Sequence, residues 1–595
     1  MKSAQEFMHW LEIGAGSRWI RLAAIIAGTL VVSLLVAWKQ FHGPVSEATL
    51  RQADVGRQLA RGAGFTTLVN YPQTAAILQR RGVRFDPEQP YPELHHAPLY
   101  SLVLAGALRV LPETRRAALF SAAPTPPDGF AGDYFLLGIN LVLLWFAAWL
   151  TFDLGRRLFE PRVGLLASFA VLLSVSIWQE TVAVNGTPLL MVLALLAFEA
   201  WLRIERAADV SVERAPAAAL FALGAACAGL FLAEYSAGAL VVVALVQAAL
   251  RFRASGRPAA LAWIIAGAAI VAGPWMVRNI LVAGHPVALA AQNVALKAGD
   301  PTAEPVIAIA TFSAEMPRVD LKKLANKTLT SLQEDLKSRV WSGGAMWLAA
   351  FFVAGWLYAF RSPATNRLRW VATSAFGVLL VAQSALNSGD TERHVTVWFA
   401  PILMIFGAGF FFVLLGSNVF LSPWPRATAT ALVVLQSLPL LHDALEPRRL
   451  HFSYPPYFPG LLQGMRHELE RREAIGRFGI MADVPAGVAW YGGTRAWLQP
   501  PTLRDFYALT LEQPMGELLL TPRTLDRPFF TDLNARPMLP GTLGALPNRF
   551  GEWGEVYAGL LTGVLPREFP LGSPQKLAEN LFVLLNPALP PPPGK

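Results

Sequence analysis

A polytopic all-α membrane domain followed by a small external α/β domain is the architecture this sequence predicts, and three observations predict it. The 595 residues are 54% hydrophobic and only 15% charged, with a mean hydropathy of +0.41, whereas soluble chains carry about 25% charged residues. The apolar residues gather into long runs separated by short Arg-rich connectors, the pattern that the positive-inside rule produces. From Glu446 onward polar and charged residues return, over a stretch long enough to bury its own core. The net charge of +9 therefore belongs to the connectors, and no nucleic-acid partner is expected. A single cysteine, Cys227, sits inside an apolar run and leaves neither a disulfide framework nor a Cys-based zinc site.

The first run, Trp19–Trp38, is roughly 30 Å long as a helix, enough to cross a bilayer core. Lys39-Gln40-Phe41-His42 follows with no small-residue cleavage site, so the run is an anchor and residues 1–18 precede it in the cytoplasm. Further candidate spans are Pro98–Leu111, Tyr134–Phe152, Val163–Trp178, Thr187–Leu202, Ala217–Leu232, Tyr235–Leu250, Ala259–Ile280, Ala345–Phe360, Trp370–Leu386, Val395–Leu415 and Ala427–Leu441. About 11–13 segments would thus fill residues 19–445.

Basic connectors at Arg156-Arg157 with Arg162, at Arg203–Arg214, at Arg251-Phe252-Arg253 with Arg257, and at Arg361, Arg367 and Arg369 all belong to the cytoplasm. The tips carrying Glu180, Glu234 and Glu392 then face outward. So do loops 39–97 and 281–344 and the tail from Glu446. Pro98–Leu111 breaks the count. At about fourteen residues it is short of the ~17–25 that a span needs, so either it crosses halfway or the Arg156 connector violates the charge rule. In residues 446–589, Phe478–Val484, Glu517–Thr521 and Leu581–Leu585 read as buried strands. The prolines of 590–595 read as a disordered end.

Candidate chemistry begins where the anchor ends. Ser46-Glu47-Ala48 puts an acid at the membrane surface, and the amphipathic segment behind it carries Arg51, Asp54, Arg57 and Arg61. An acid is favoured in any first helical turn, so Glu47 reads either as a dipole partner or as a base. Glu93-Leu94-His95-His96-Ala97-Pro98-Leu99-Tyr100 follows at the re-entry into lipid. Pro98 can start a helix without an N–H, and the histidines are interfacial packing or phosphate donors. Glu180, Glu234-Tyr235 and Glu392-Arg393-His394 lie at run ends on the same predicted face. At mid-bilayer each acid would cost roughly 2.5–3.5 kcal/mol, so their common placement points to a shared polar cavity. Pro274-Trp275-Met276-Val277-Arg278-Asn279, with Gly284-His285-Pro286 beyond, is either an aromatic belt with a snorkelling Arg or a guanidinium fork for phosphate.

These motifs resemble the GT-C class of membrane glycosyltransferases, in particular the bacterial family related to dolichyl-phosphate-mannose protein mannosyltransferases and the lipid A aminoarabinose transferase. The resemblance covers about residues 19–420. The family carries an Asp-Glu pair after the first span; here Ser46 stands for the Asp and Glu47 keeps the second acid. His-Pro-Pro becomes His96-Ala97-Pro98, and Pro-Trp-x-x-Arg-Asn is intact at Pro274–Asn279.

The resemblance implies inverting transfer from a polyprenyl-phosphate-linked sugar to a hydroxyl of a glycan, lipid or protein acceptor at the outer face of a bacterial inner membrane. Glu47, or Asp54 in its place, would be the catalytic base. Arg51, Glu93, His95, His96, Tyr100, Glu180, Glu234, Tyr235, Arg278, Asn279, Glu392, Arg393 and His394 would bind substrate, with Arg278, Arg393 and His394 on phosphate. No cofactor is expected beyond the lipid-linked donor, and no motif calls for a divalent metal. A catalytically inactive relative that binds lipid-linked sugar would share the scaffold and the loss of Asp. A transporter would place its acids near mid-membrane in broken helices, unlike the run-end acids here.

Overall fold

The computed structural model describes residues 15–44, 46–83, 86, 89–121, 129–210, 216–296, 305–387, 393–417, 423–446, 457–525, 553–572 and 574–592. Glu392 lies outside them, as do most of the amino-terminal segment and the last three residues of the Pro-rich end.

Among the described residues, seven helices are long and apolar enough to cross a membrane: Leu22–Gln40, Ala131–Leu158, Thr187–Asp209, Arg257–Ala283, Pro363–Leu386, Ala400–Ser417 and Pro425–Leu445. Two bent pairs raise the number to nine: Pro161–Leu172 with Val175–Val182, and Leu321–Ser342 with Trp347–Leu357. The chain is an integral membrane protein. Several expected spans are shorter than the sequence suggests. Leu99–Val110 has 12 residues, about 18 Å of helix against a core of about 30 Å, so the doubtful second run does not cross. The run from Val395 is split into Val395–Trp398 and Ala400–Ser417.

The bundle is tied at one end by charge. Arg157 bonds Glu199 at 2.6 Å, and Arg203 reaches the same carboxylate at 3.1 Å. Arg251 and Arg367 converge on Glu205, at 3.1 and 2.6 Å, and both also bond Asp209. Residues from all four basic connectors therefore meet around the carboxyl end of the Thr187–Val210 helix. At the other end of that helix, Thr187 donates to Glu180 at 3.0 Å. The acidic tips thus lie opposite the basic connectors.

Beyond the acidic end sits a six-stranded sheet. Its strands are β2 (Val69–Asn70), β4 (Gly479–Ala482), β5 (Ala496–Leu498), β6 (Met515–Leu520), β7 (Gln575–Ala578) and β8 (Leu581–Leu585), in the order β2-β5-β4-β6-β8-β7. The first four are parallel, and β8 and β7 add on antiparallel. β4, β5 and β6 are buried along their whole length, which is why β4 and the Leu518–Leu520 part of β6 read as apolar runs; β5 is not among the expected strands. A separate ribbon pairs β1 (Thr66–Thr67) with β3 (Tyr91–Pro92).

The sheet is not built from the carboxyl tail alone, because β2 comes from the loop after the anchor. The two parts of the chain are latched further by buried Asp133, at the start of the Ala131–Leu158 helix. It accepts hydrogen bonds from Trp490 Nε1 at 2.9 Å and the Tyr491 hydroxyl at 3.0 Å.

Candidate active site

Ser46 is the N-cap of the Glu47–Arg61 helix and accepts from the backbone N–H groups of Ala48 and Thr49 at 3.2 and 3.4 Å. The residue that replaces the expected Asp is therefore spent on two orphan donors of the helix start, a role in which Ser and Asp are close equivalents. Glu47 follows as the first helical residue. Its Oε1 accepts from the Tyr457 hydroxyl at 2.8 Å and its Oε2 from the Ala486 N–H at 2.8 Å. Arg523 Nη1 stands 3.8 Å from Oε1. Burial pushes the Glu47 carboxyl above its ordinary range; Arg523 first, then the two donors, offset only part of that.

Glu47 lines a cavity of about 1020 Å³ between the acidic tips of the bundle and the sheet. The cavity also receives Gln52, His95, His96, Glu234, Tyr235, His285 and Arg393 from the membrane-domain side. From the sheet side come Tyr71, Asp483, Leu498, Pro522 and Arg523, just at or beyond the carboxyl ends of β2, β4, β5 and β6. Ligands of open α/β sheets bind at this edge of the strands. Arg393 is held in a left-handed backbone conformation, φ 55°, which non-glycine residues adopt only when the surroundings impose it. Its N–H donates to Glu180 at 3.3 Å, and Gln383 donates to its carbonyl at 3.3 Å. Its Nη1 lies 3.6 Å from Glu234.

Other expected site residues turn out to hold the walls. Arg51 Nε bonds Glu93 at 2.7 Å while its guanidinium stacks 3.9 Å from the Tyr71 ring centre. The second Glu93 oxygen accepts from the N–H groups of His95 and His96 at 2.7 and 2.9 Å. Burial raises the Glu93 carboxyl, but Arg51 and then His96 outweigh it and leave it well below the usual range. His95 is driven the other way, kept neutral by burial and by Arg51; its Nε2 pairs with the Thr74 hydroxyl at 2.9 Å. Asp54 is buried and spent on Gln58, the Thr67 hydroxyl and the Leu68 N–H at 3.2, 2.9 and 2.7 Å, away from the cavity lining. Tyr100 donates to Val184 O and Asn140 inside the bundle.

Arg278, expected on phosphate, is not among the residues that line the cavity and is held by loop carbonyls. Its Nη1 donates to Glu93 O at 2.6 Å and Asn279 at 2.9 Å, and its Nη2 to Phe65 O at 3.2 Å. Asn279 in turn donates to Pro286 O. His394 pairs with Asp335 at 3.1 Å and Thr396 at 2.9 Å and does not line the cavity. The physical reason is the same in each case: a buried polar group takes the protein partner within reach.

Arg523, Asp483 and Tyr457 escaped the sequence reading as site residues. A signal existed for one of them, because Asp483 directly follows a buried strand. Among the described residues no group of three or more His, Cys, Asp or Glu side chains converges enough to hold a metal ion.

By sequence, no family model matches the chain and no characterised protein matches it. By structure it is similar to ArnT from Cupriavidus metallidurans bound to undecaprenyl phosphate, with a TM-score of 0.51 at 14% identity over 97% of this chain and 100% of that one. It is similar as well to the archaeal oligosaccharyltransferase AglB from Archaeoglobus fulgidus in complex with an inhibitory peptide and a dolichol-phosphate. There the TM-score is 0.50 at 11% identity, over 84% of this chain and 70% of that one. The chain has the GT-C fold. Within that fold, the cavity at the acidic end is bounded jointly by helix tips and sheet, and Glu47 sits at their junction.

Proposed function

We propose that this GT-C protein is an inverting glycosyltransferase that moves a sugar from a polyprenyl-phosphate donor to an acceptor hydroxyl at the outer face of a bacterial inner membrane. The observation that carries the reading is Glu47: a largely buried carboxylate, its side chain 11% exposed, at the wall of a large cavity and beside one cation. Glu47 accepts the proton of the acceptor hydroxyl as its oxygen forms the bond to the anomeric carbon. The bond from that carbon to the phosphate oxygen breaks on the opposite face, and the phosphate leaves with the electron pair. A carboxyl raised by burial is a stronger base once ionised, and Arg523 favours the ionised form. Arg393, which lines the cavity, stabilises in this reading the charge that develops on the departing phosphate, where a cation in a water-poor cavity acts most strongly. The polar wall built by Arg51, Glu93 and Arg278 keeps the loops that carry His95 and His96 in place.

The test is release of undecaprenyl phosphate from its glycosyl esters by the purified protein in lipid nanodiscs supplied with hydroxyl acceptors (bacterial envelope lipids, glycans and proteins), with Glu47→Gln as the control. A second reading, a non-catalytic binder of lipid-linked sugar, is favoured by one observation: both Glu47 oxygens already accept hydrogen bonds. Tight binding of the ester with no release in the wild type would select it.

A further inference from the structure

Two polar side chains in the cavity wall are buried and incomplete. Asp483 is 7% exposed and Gln52 2% exposed, and both line the cavity. The Oδ2 of Asp483 accepts from the Thr521 N–H and hydroxyl, each at 3.0 Å, but its Oδ1 is buried with no hydrogen-bond partner. The side-chain Nε2 of Gln52 is likewise buried and unpartnered. Leaving such groups unsatisfied costs roughly 1–3 kcal/mol each, and buried polar atoms are partnered as a rule. Here one is an acceptor and the other a donor, and their residues line the same cavity, Asp483 at the end of β4 and Gln52 on the Glu47–Arg61 helix. A hydroxyl group is the complement of both, because it donates to the carboxylate and accepts from the amide.

We propose that Asp483 and Gln52 form a polyol subsite that holds ring hydroxyls of a sugar in the cavity. The subsite rests on the transferase reading for its context but is defined by its own two atoms. Burial pushes Asp483 up to about 6, with the Thr521 N–H as the largest opposing influence, so near neutral pH the carboxylate is ionised and a strong acceptor. Glu47 and Arg393 keep their roles toward proton and phosphate, and the soluble layer supplies part of the surface that reads the sugar. The hydroxyls belong to the donor's sugar or to a sugar acceptor, two sources with one chemistry.

The experiment measures binding of undecaprenyl phosphate, of its hexosyl and pentosyl esters, and of free methyl glycosides to the wild type, Asp483→Asn and Gln52→Leu in nanodiscs. Asparagine keeps the shape and the contact with Thr521 while turning a donor toward the cavity. Binding of sugar-free undecaprenyl phosphate is the measure that both variants fold. The wild type should bind at least one ester more tightly than the bare lipid, and each variant should lose about tenfold on that ester and nothing on the bare lipid. Loss confined to the methyl glycosides supports the subsite and assigns it to the acceptor. Unchanged affinity for every sugar-bearing probe in both variants overturns it. Failure of the wild type to bind any polyprenyl lipid overturns the transferase reading instead; the subsite then stands or falls on the methyl glycosides alone.

Discussion

Arg523 Nη1 lies 3.8 Å from Glu47 Oε1, a contact between a short helical turn of the soluble layer and the first residue of the juxtamembrane helix. The candidate base and its only cation within 4 Å among the described residues therefore come from opposite ends of the chain, and the soluble layer must be docked for the pair to exist. Tyr457 and Ala486 reinforce the same junction through Glu47.

Glu47→Gln should lower transfer by about 10²–10⁴, the usual range for loss of a general base, while leaving the fold intact. Glutamine can still accept from the Ala486 N–H through its oxygen and donate from its NH2 to the Tyr457 hydroxyl, which can also accept. Asp54→Asn should behave in the opposite way: a carboxylate that holds Thr67 and Leu68 costs stability when weakened, by about 1–3 kcal/mol. Thermal unfolding and turnover, measured on both variants, separate the two roles. Loss of turnover in a fully stable Asp54→Asn protein would move the base to that residue.

Removing Arg523 should shift the pH profile. Arg523 holds the Glu47 carboxyl down against burial, so Arg523→Gln raises it further. Transfer requires ionised Glu47, and the acid limb of kcat/KM against pH should therefore move to higher pH, with Arg523→Lys in between. A limb that stays in place would show that another group sets the profile.

Arg278→Ala should destabilise the protein by about 1–3 kcal/mol, because two loop carbonyls lose charged donors, and the loops carrying Phe65 and Glu93 should loosen. Lysine should recover part of this, since one ammonium reaches one carbonyl but lacks the fork. Hydrogen exchange at residues 65–67 and 91–96 reports the loosening. A phosphate role would instead appear as weaker binding of undecaprenyl phosphate with no change in exchange.

Glu517 is buried in β6 with neither carboxylate oxygen hydrogen-bonded. Burial, then nearby Glu468, push it up to about 8 from an ordinary value of 4.5. The folded state thus holds a proton that the unfolded chain releases, so stability falls as pH rises from 4.5 through about 8. Glu517→Gln should flatten this slope and leave the variant more stable than wild type above pH 8, by about 1–3 kcal/mol. Equal pH dependence in the two proteins would refute the assignment.

Cysteines placed at Leu321 and Leu511, both exposed, should be labelled from the same side of the membrane in a Cys227→Ala background. A cysteine at Arg361, in a basic connector, should react only from the other side. Labelling of positions 321 and 511 from different sides would break the proposed orientation.

The sequence by itself determined the membrane class, because the cost of exposing apolar runs to water and of burying charge in lipid is local and additive along the chain. It determined β4, β6 and β8 from short apolar stretches, although in β6 the stretch is only Leu518–Leu520, after Glu517. It also named Glu47, His96, Glu234 and Arg393, which the fold brings to one cavity, since acids and bases at run ends must share an interface. Only the tertiary structure decided that β2 joins the sheet, that Leu99–Val110 is a helix of 12 residues, and that Arg278, Asp54 and His394 lie outside the cavity lining with protein partners. Arg523 and Asp483 entered the site in the same way. A short strand in Val69–Asn70 or a lone Arg in the tail has no pattern of its own. Its role is set by which buried partner lies within about 3–4 Å once segments hundreds of residues apart have packed.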